Sequence, residues 1–222
     1  MSLDIRQEFE RDGRVWFRNA ITSEELQNLK QLSELENKPG ARVSSTSPLY
    51  KVIASLSFNT KLQNIWPKMK PVRVVAFNKM PSSNWGVPWH QDRVISVEEK
   101  ADAEGYSNWS QKAGSWHCEP PISLLENMLF VRVHLDDSTE ENGAMEIALG
   151  SHQEGAVVAS EAAGIANTYQ REITTAKSGD ILVLAMLTLH RSLSSQSKDS
   201  RRVLRVDFSP DTLPSPLSWI AQ

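Results

Sequence analysis

Disulfide-forming capacity is missing from this chain. Its 222 residues include a single cysteine, Cys118, so no internal bridge can form, and a reducing, cytoplasmic setting is expected. Long apolar runs are missing as well. The longest, Ile181–Leu189, covers nine residues, too few to cross a bilayer. The opening Met1-Ser2-Leu3-Asp4-Ile5-Arg6 lacks the basic-then-apolar order of a secretory leader. No membrane partner is therefore expected. Charge of one sign is not in excess either: 24 Lys and Arg stand against 27 Asp and Glu, a net charge of −3. That balance excludes a nucleic-acid binder working through a basic surface. What remains, 40% hydrophobic and 23% charged residues, is the composition of a soluble globular chain and not of a coiled coil, a collagen or a disordered tail. The length suits one domain able to bury a core without staples.

The first third reads as helical. Asp4 can cap a first helix that stops at Gly13, and Val15-Trp16-Phe17 follows as a brief strand. Thr22 and Glu25 have capping-box spacing, and Leu26, Leu29 and Leu32 give the helix behind them an apolar face. That helix is expected to end before Pro39-Gly40. Leu49–Leu56 and Lys61–Trp66 read as two more short helices, the second stopped by Pro67. After Pro71 the character changes. Val72–Met80, Met128–Leu135, Ala144–Ala148, Ile173–Thr175, Ile181–Met186 and Val203–Phe208 read as strands, separated by turn signals at Asn142-Gly143, Gly150-Ser151 and Ser178-Gly179-Asp180. Helices first, then strands without interleaved helices, predict an α+β protein with a largely antiparallel core. Residues 93–127 are too long for a turn, and a helix from Ile122 to Asn127 is expected to close them.

The five histidines can be weighed one at a time. His90 and Asp92 sit two apart, so on an extended chain they face one point. Taken alone, this triplet fits a polar edge strand equally well. His190, at the end of the apolar run Ile181–Leu189, is where a third ligand would come from. Two histidines and a carboxylate on one face of a metal leave three positions open on an octahedral iron. Arg201 follows eleven residues later. In the run 200–208, period-two alternation puts Arg202, Leu204, Val206 and Phe208 on one face and Arg201, Val203, Arg205 and Asp207 on the other. An arginine fork on such a mixed face can hold a carboxylate through two parallel hydrogen bonds; a solvated charge cluster would show the same letters.

Together these segments resemble the phytanoyl-CoA dioxygenase-like family of Fe(II)/2-oxoglutarate dioxygenases. The likeness runs from about Val72 to Phe208 and more loosely over the N-terminal helices. It rests on PWHQD at 88–92, HLDDSTEENGAMEIALGSH at 134–152, SGDILVL at 178–184, His190, and RRVLRVDF at 201–208. The resemblance implies a mainly β double-stranded β-helix, a jelly-roll or cupin-like barrel, braced by N-terminal helices. It implies one domain over 1–222, with helical support in 1–70, a jelly-roll core in 71–208, a lid-like insertion at 93–127 and a tail at 209–222. It places iron on His90, Asp92 and His190, and the far carboxylate of 2-oxoglutarate on Arg201, with Ser192 assisting. Arg132 aligns where some relatives carry an aromatic beside the cosubstrate and becomes a second carboxylate contact. Arg191 replaces the usual glycine after the distal histidine. Trp109, Lys112 and His117, in the insertion, and Lys79 are candidate substrate contacts, although a solvated strand end also suits Lys79. His152 belongs to a Gly-Ser-His turn and reads as an anchor. His134 shares a strand face with Arg132 and points toward the site or one layer behind it.

The implied activity is hydroxylation of a small molecule with O2 as cosubstrate and release of succinate and CO2. Related halogenases lack the carboxylate that Asp92 supplies. Desaturation, epimerisation and ring closure use the same ligands. The alternatives are a hydrolase or isomerase of similar shape holding zinc or manganese, and a non-catalytic jelly-roll binding module. Neither the substrate nor the oligomeric state leaves a mark in the sequence.

Overall fold

The computed structural model describes residues 2–33, 40–80, 84–112 and 114–220. Helix α1 (Ser2–Asp12) leads into strand β1 (Arg14–Phe17), helix α2 (Ser23–Ser33), strand β2 (Gly40–Arg42) and helices α3 (Pro48–Ala54) and α4 (Ser57–Ile65). Strands β3 (Lys70–Lys79), β4 (Val87–His90), β5 (Ile95–Val97), β6 (Ser107–Lys112) and β7 (Ser115–Glu119) follow, then helix α5 (Ile122–Glu126). Strands β8 (Leu129–His134) and β9 (Met145–Ala148), helix α6 (Ala162–Ala166), and strands β10 (Arg171–Ile173), β11 (Ile181–Ala185), β12 (His190–Ser192) and β13 (Arg201–Ser209) complete the chain.

Local chemistry explains the helix ends. At the start of α2 the backbone N–H of Thr22 donates to Glu25 Oε2 at 3.0 Å and that of Glu25 to Thr22 Oγ1 at 3.2 Å, a closed capping box. α1 starts at Ser2, so Asp4 lies within its first turn rather than at its cap; a carboxylate there still suits the positive end of the helix. The expected end of the second helix before Pro39 lies outside the described residues. α1 stops at Gly13, whose φ is +70° and where a Cβ would stand 2.5 Å from His152 Nδ1. A Gly13→Ala protein is expected to lose about 2–4 kcal/mol, a fall in melting temperature of roughly 5–15 °C for a chain of this length. An unchanged thermal transition would show that the turn relaxes freely.

Two antiparallel sheets form the core. The larger has the order β1-β11-β8-β13-β3-β2 and the smaller β10-β9-β12-β4, while β5-β7-β6 make a separate three-stranded sheet. Alternation along the large sheet decides what faces where. Val131 and Val133, Ile181 and Val183, and Leu204 and Val206 pack against Leu29, Leu49, Ile53, Phe58 and Leu62 of the N-terminal helices. Their neighbours Phe130, Leu182 and Leu184 turn inward toward Met145 and Ile147 of the small sheet. The same parity carries Arg132 and Arg205 inward, so the strand that braces the helices also places cations between the sheets.

Residues 93–127 build β5, β6, β7 and α5. Ile95, Val97 and Cys118 of this segment pack with Trp219 of the C-terminal tail in the second core cluster, and Val97 bridges to Trp219. Burial pushes the Cys118 thiol up to about 11, which leaves it inert at neutral pH. No helix among the described residues is long and apolar enough to cross a membrane.

Candidate metal centre

The strand within the apolar run does not extend to His190. β11 stops at Ala185 and a turn switches the chain to the other sheet, so His190 opens β12 directly opposite His90 of β4. The two rings stand 4.2 Å apart between centroids. Each Nδ1 donates to a carbonyl two residues earlier, His90 to Pro88 O at 2.8 Å and His190 to Thr188 O at 2.9 Å. A carbonyl only accepts, so the proton sits on Nδ1 and both Nε2 lone pairs are left for a ligand. Asp92 Oδ2 lies 3.2 Å from His190 Nε2, and one donor atom from each of the three residues falls within 4.8 Å of the others. Burial and the adjacent His190 lower His90, keeping it neutral. Burial alone would raise the Asp92 carboxyl, but the Arg205 guanidinium beside it holds it well below the usual carboxylate range. Two imidazoles with Nδ1 turned to a carbonyl and one anionic carboxylate suit a divalent transition metal.

The large sheet contributes a wall of cations. Arg201 pairs in register with Lys79, and Arg205 with Arg132. Arg205 ion-pairs with Asp92 and Asp207. Among the described residues the other three show no close ion pair. Arg201 donates to Asn142 O at 3.2 Å and Gly143 O at 3.0 Å. Lys79 Nζ donates to Ser192 Oγ at 2.9 Å and to Leu193 O. Arg132 Nε is buried without a hydrogen-bond partner. Burial, compounded by the neighbouring arginines, brings Lys79 down to about 8 and Arg132 to about 9. Burial brings Arg201 to about 10. All three are still cationic at neutral pH, and a group of buried cations without a close ion-pair partner suits an anion. Gly143, at φ +74°, makes the close approach possible: a Cβ there would stand 2.8 Å from Lys79 Nζ.

Metal ligands and cations line one cavity of about 190 Å³. Phe77, Trp85, Val87, Phe130 and Met145 complete its walls. Ser192 is there too, beside Lys79. Lys79 is 3% exposed, so the solvated strand end that the sequence also allowed is corrected. Its hydrogen-bond partners Ser192 and Leu193 lie 113 and 114 positions away, which no local pattern reveals. Arg202 turns to the opposite face and donates to Asp136.

The insertion residues do not reach this cavity. Trp109 packs against the second core cluster, Lys112 is exposed, and His117 is buried with its Nε2 accepting from Arg42 Nε at 3.0 Å. Burial and that guanidinium push His117 down to about 4. The reason is the direction of the β6–β7 hairpin, which covers the apolar side of the barrel instead of its polar mouth. His134 lies behind the site, buried, with Nδ1 3.3 Å from Asp180 O, and His152 packs against the Gly13 turn. Arg191 pairs with Glu146 at 2.6 Å and stacks over Trp89. Sequence reasoning put Arg205 on the right strand face but missed its partner, Asp92.

A jelly-roll core with a His-x-Asp pair and a distal histidine on one cavity belongs to an oxygenase-type enzyme of the non-haem iron class. More particularly, the chain belongs to the phytanoyl-CoA dioxygenase (PhyH) family, whose profile matches residues 9–203. No curated protein matches the chain. Among solved structures, AviO1 from Streptomyces viridochromogenes Tue57 shares 16% identity over 97% of this chain and 98% of its own, with a TM-score of 0.68. The non-haem α-ketoglutarate-dependent epimerase SnoN from nogalamycin biosynthesis shares 14% identity over 100% of this chain and 86% of its own, with a TM-score of 0.69. EctD from S. alaskensis with 2-oxoglutarate and 5-hydroxyectoine shares 16% identity over 97% and 82%, with a TM-score of 0.68. At these identities the likeness is one of fold, and it is the jelly-roll fold expected from the sequence.

Proposed function

We propose that this protein is an Fe(II)- and 2-oxoglutarate-dependent hydroxylase of a small molecule, with His90, Asp92 and His190 holding the metal. The observation that carries this reading is the pairing, in one cavity, of a three-donor metal site with three buried cations, Lys79, Arg132 and Arg201. Iron held there supplies the redox chemistry, in which O2 and 2-oxoglutarate are consumed, succinate and CO2 leave, and a substrate C–H bond is oxidised. The chain's own residues do the rest. Arg201 offers a forked pair of donors to the far carboxylate of 2-oxoglutarate, Lys79 and Arg132 complete its charge neutralisation, and the Ser192 hydroxyl holds Lys79 in place. Phe77, Phe130 and Met145 keep water from the cosubstrate's carbon chain, and Trp85 and Val87 face the remaining space where a substrate would lie. The cavity's size suits a small molecule. The chain is read as one domain, with the N-terminal helices as support and 93–127 as an insertion on its apolar flank.

Hydroxylation is favoured over epimerisation by the cavity wall. Returning a hydrogen atom to the opposite face of a substrate needs a phenol or a thiol, and among the described residues no Tyr or Cys lines the cavity. A binding module for an anion would use the cations but not the three metal donors, so it is the pairing of the two in one cavity that favours the oxygenase reading. The test is an anaerobic titration of apo-protein with Fe(II) and then 2-oxoglutarate, following the visible charge-transfer band of the chelate. A band in the wild type that is missing from His90→Ala supports the reading; folded, metal-bound protein without a band overturns it.

Lys79 adds a pH dependence. Its cation is present below about 8 and is lost above, so affinity for 2-oxoglutarate is expected to weaken as pH rises through about 8, with proton uptake on binding in that range. Calorimetry in buffers of different ionisation enthalpy measures the uptake, and Lys79→Met should abolish it.

A further inference from the structure

The small sheet carries the histidines, but the third donor is held by the large one. Arg205 Nη1 bonds to Asp92 Oδ2, the same oxygen that lies 3.2 Å from His190 Nε2. The carboxylate oxygen that faces His190 is therefore the one that Arg205 engages. Every nitrogen of this arginine is committed: Nε donates to Asp207 Oδ1 at 2.7 Å and Nη2 lies 3.6 Å from Met186 Sδ. Its planar face sits 4.3 Å from the centroid of Phe130. Asp207 is itself anchored by Arg73 at 2.6 Å, and Arg73 donates to Val94 O at 3.0 Å. Arg73, Asp207, Arg205 and Asp92 thus form an alternating chain of charges that ends on a metal donor.

We infer that Arg205 is a positioning residue that fixes Asp92 and draws charge from its donor oxygen, so that the bound iron is held in the divalent state. The inference rests on the iron site proposed above. A fixed cation one hydrogen bond from a ligand oxygen disfavours the extra positive charge of Fe(III) more than it disfavours Fe(II). Such outer partners of a metal ligand are known to tune both its orientation and its basicity.

Removing Arg205 should spare the fold, because Asp207 keeps Arg73 as its partner and a methionine can fill the space beside Phe130 and Met186. The experiment loads wild type, Arg205→Lys, Arg205→Gln and Arg205→Met with Fe(II) under argon and determines bound iron. It then admits air without 2-oxoglutarate and follows the high-spin ferric resonance per bound iron, each iron giving one electron to dissolved O2. Ferric iron is expected about tenfold or more faster in Arg205→Met, from the loss of a near charge, and at close to the wild-type rate in Arg205→Lys. Arg205→Gln keeps a hydrogen bond to Asp92 without the charge, so it carries the test if Arg205→Met loads poorly, and it should also oxidise fast. Equal oxidation rates in wild type and the neutral variants would overturn the inference while leaving the metal site standing, even if iron loading fell. Failure of the wild type to bind Fe(II) would instead overturn the site itself.

Discussion

A His190→Ala protein is expected to retain about a tenth or less of the wild type's iron after anaerobic reconstitution and desalting, and to form no measurable succinate. The two remaining donors, His90 and Asp92, cannot hold a labile divalent ion against a chelating buffer. The substitution also removes the ring that stacks 4.2 Å from His90 and 5.2 Å from Phe130, so a modest loss of stability should accompany it. Circular dichroism and a melting curve separate the two effects. A folded variant that keeps its iron would show that the metal sits elsewhere. Cobalt(II) absorption gives the same answer without any turnover.

The second large effect belongs to Arg201. Arg201→Met is expected to raise the KM for 2-oxoglutarate by roughly thirty- to a hundredfold, the equivalent of about 2–3 kcal/mol for charge-assisted hydrogen bonds to a carboxylate. At saturating cosubstrate kcat should change little, because the lost contact is made equally before and during reaction. Lys79 and Arg132 face the same space and keep the loss from being total. Arg202→Met is the matched control: its guanidinium bonds Asp136 on the opposite face of the strand, so its KM should stay near that of the wild type. A KM for Arg201→Met close to the wild-type value would move the carboxylate to Arg132 or Lys79.

Much of this arrangement was legible in the letters, for reasons that differ by element. β11 is an unbroken run of branched and apolar residues buried on both faces, which reads as a strand whatever surrounds it, while β3, β8 and β13 are rich enough in Val, Leu and Phe to read as strands despite the charged residues they carry. The capping box at Thr22 and Glu25 is local and was fully visible. β6, by contrast, is Ser-Asn-Trp-Ser-Gln-Lys, a polar edge without alternation, and its pairing with β7 is a tertiary fact. The switch from β11 to β12 was hidden because Met186, Leu187 and Leu189 are as apolar as the strand before them; they are buried in a turn, not in a ladder. The ligand triplet His90, Asp92 and His190 could be picked out by spacing and type. The Lys79–Ser192 contact and the Arg205–Asp92 pair bridge residues 113 apart in each case, so the sequence supplied the groups but not their partners.

His90 and His190 ride on the small sheet, while Lys79, Arg132 and Arg201 ride on the large one. On the proposed assignment, the distance from metal to carboxylate anchor is thus a distance between two sheets, set by the side chains that fill the gap, Phe130 and Met145 among them. The barrel serves as a gauge for the length of its cosubstrate. Enlarging Met145 or trimming Phe130 would shift the preferred chain length of the dicarboxylate without touching a single residue that binds it.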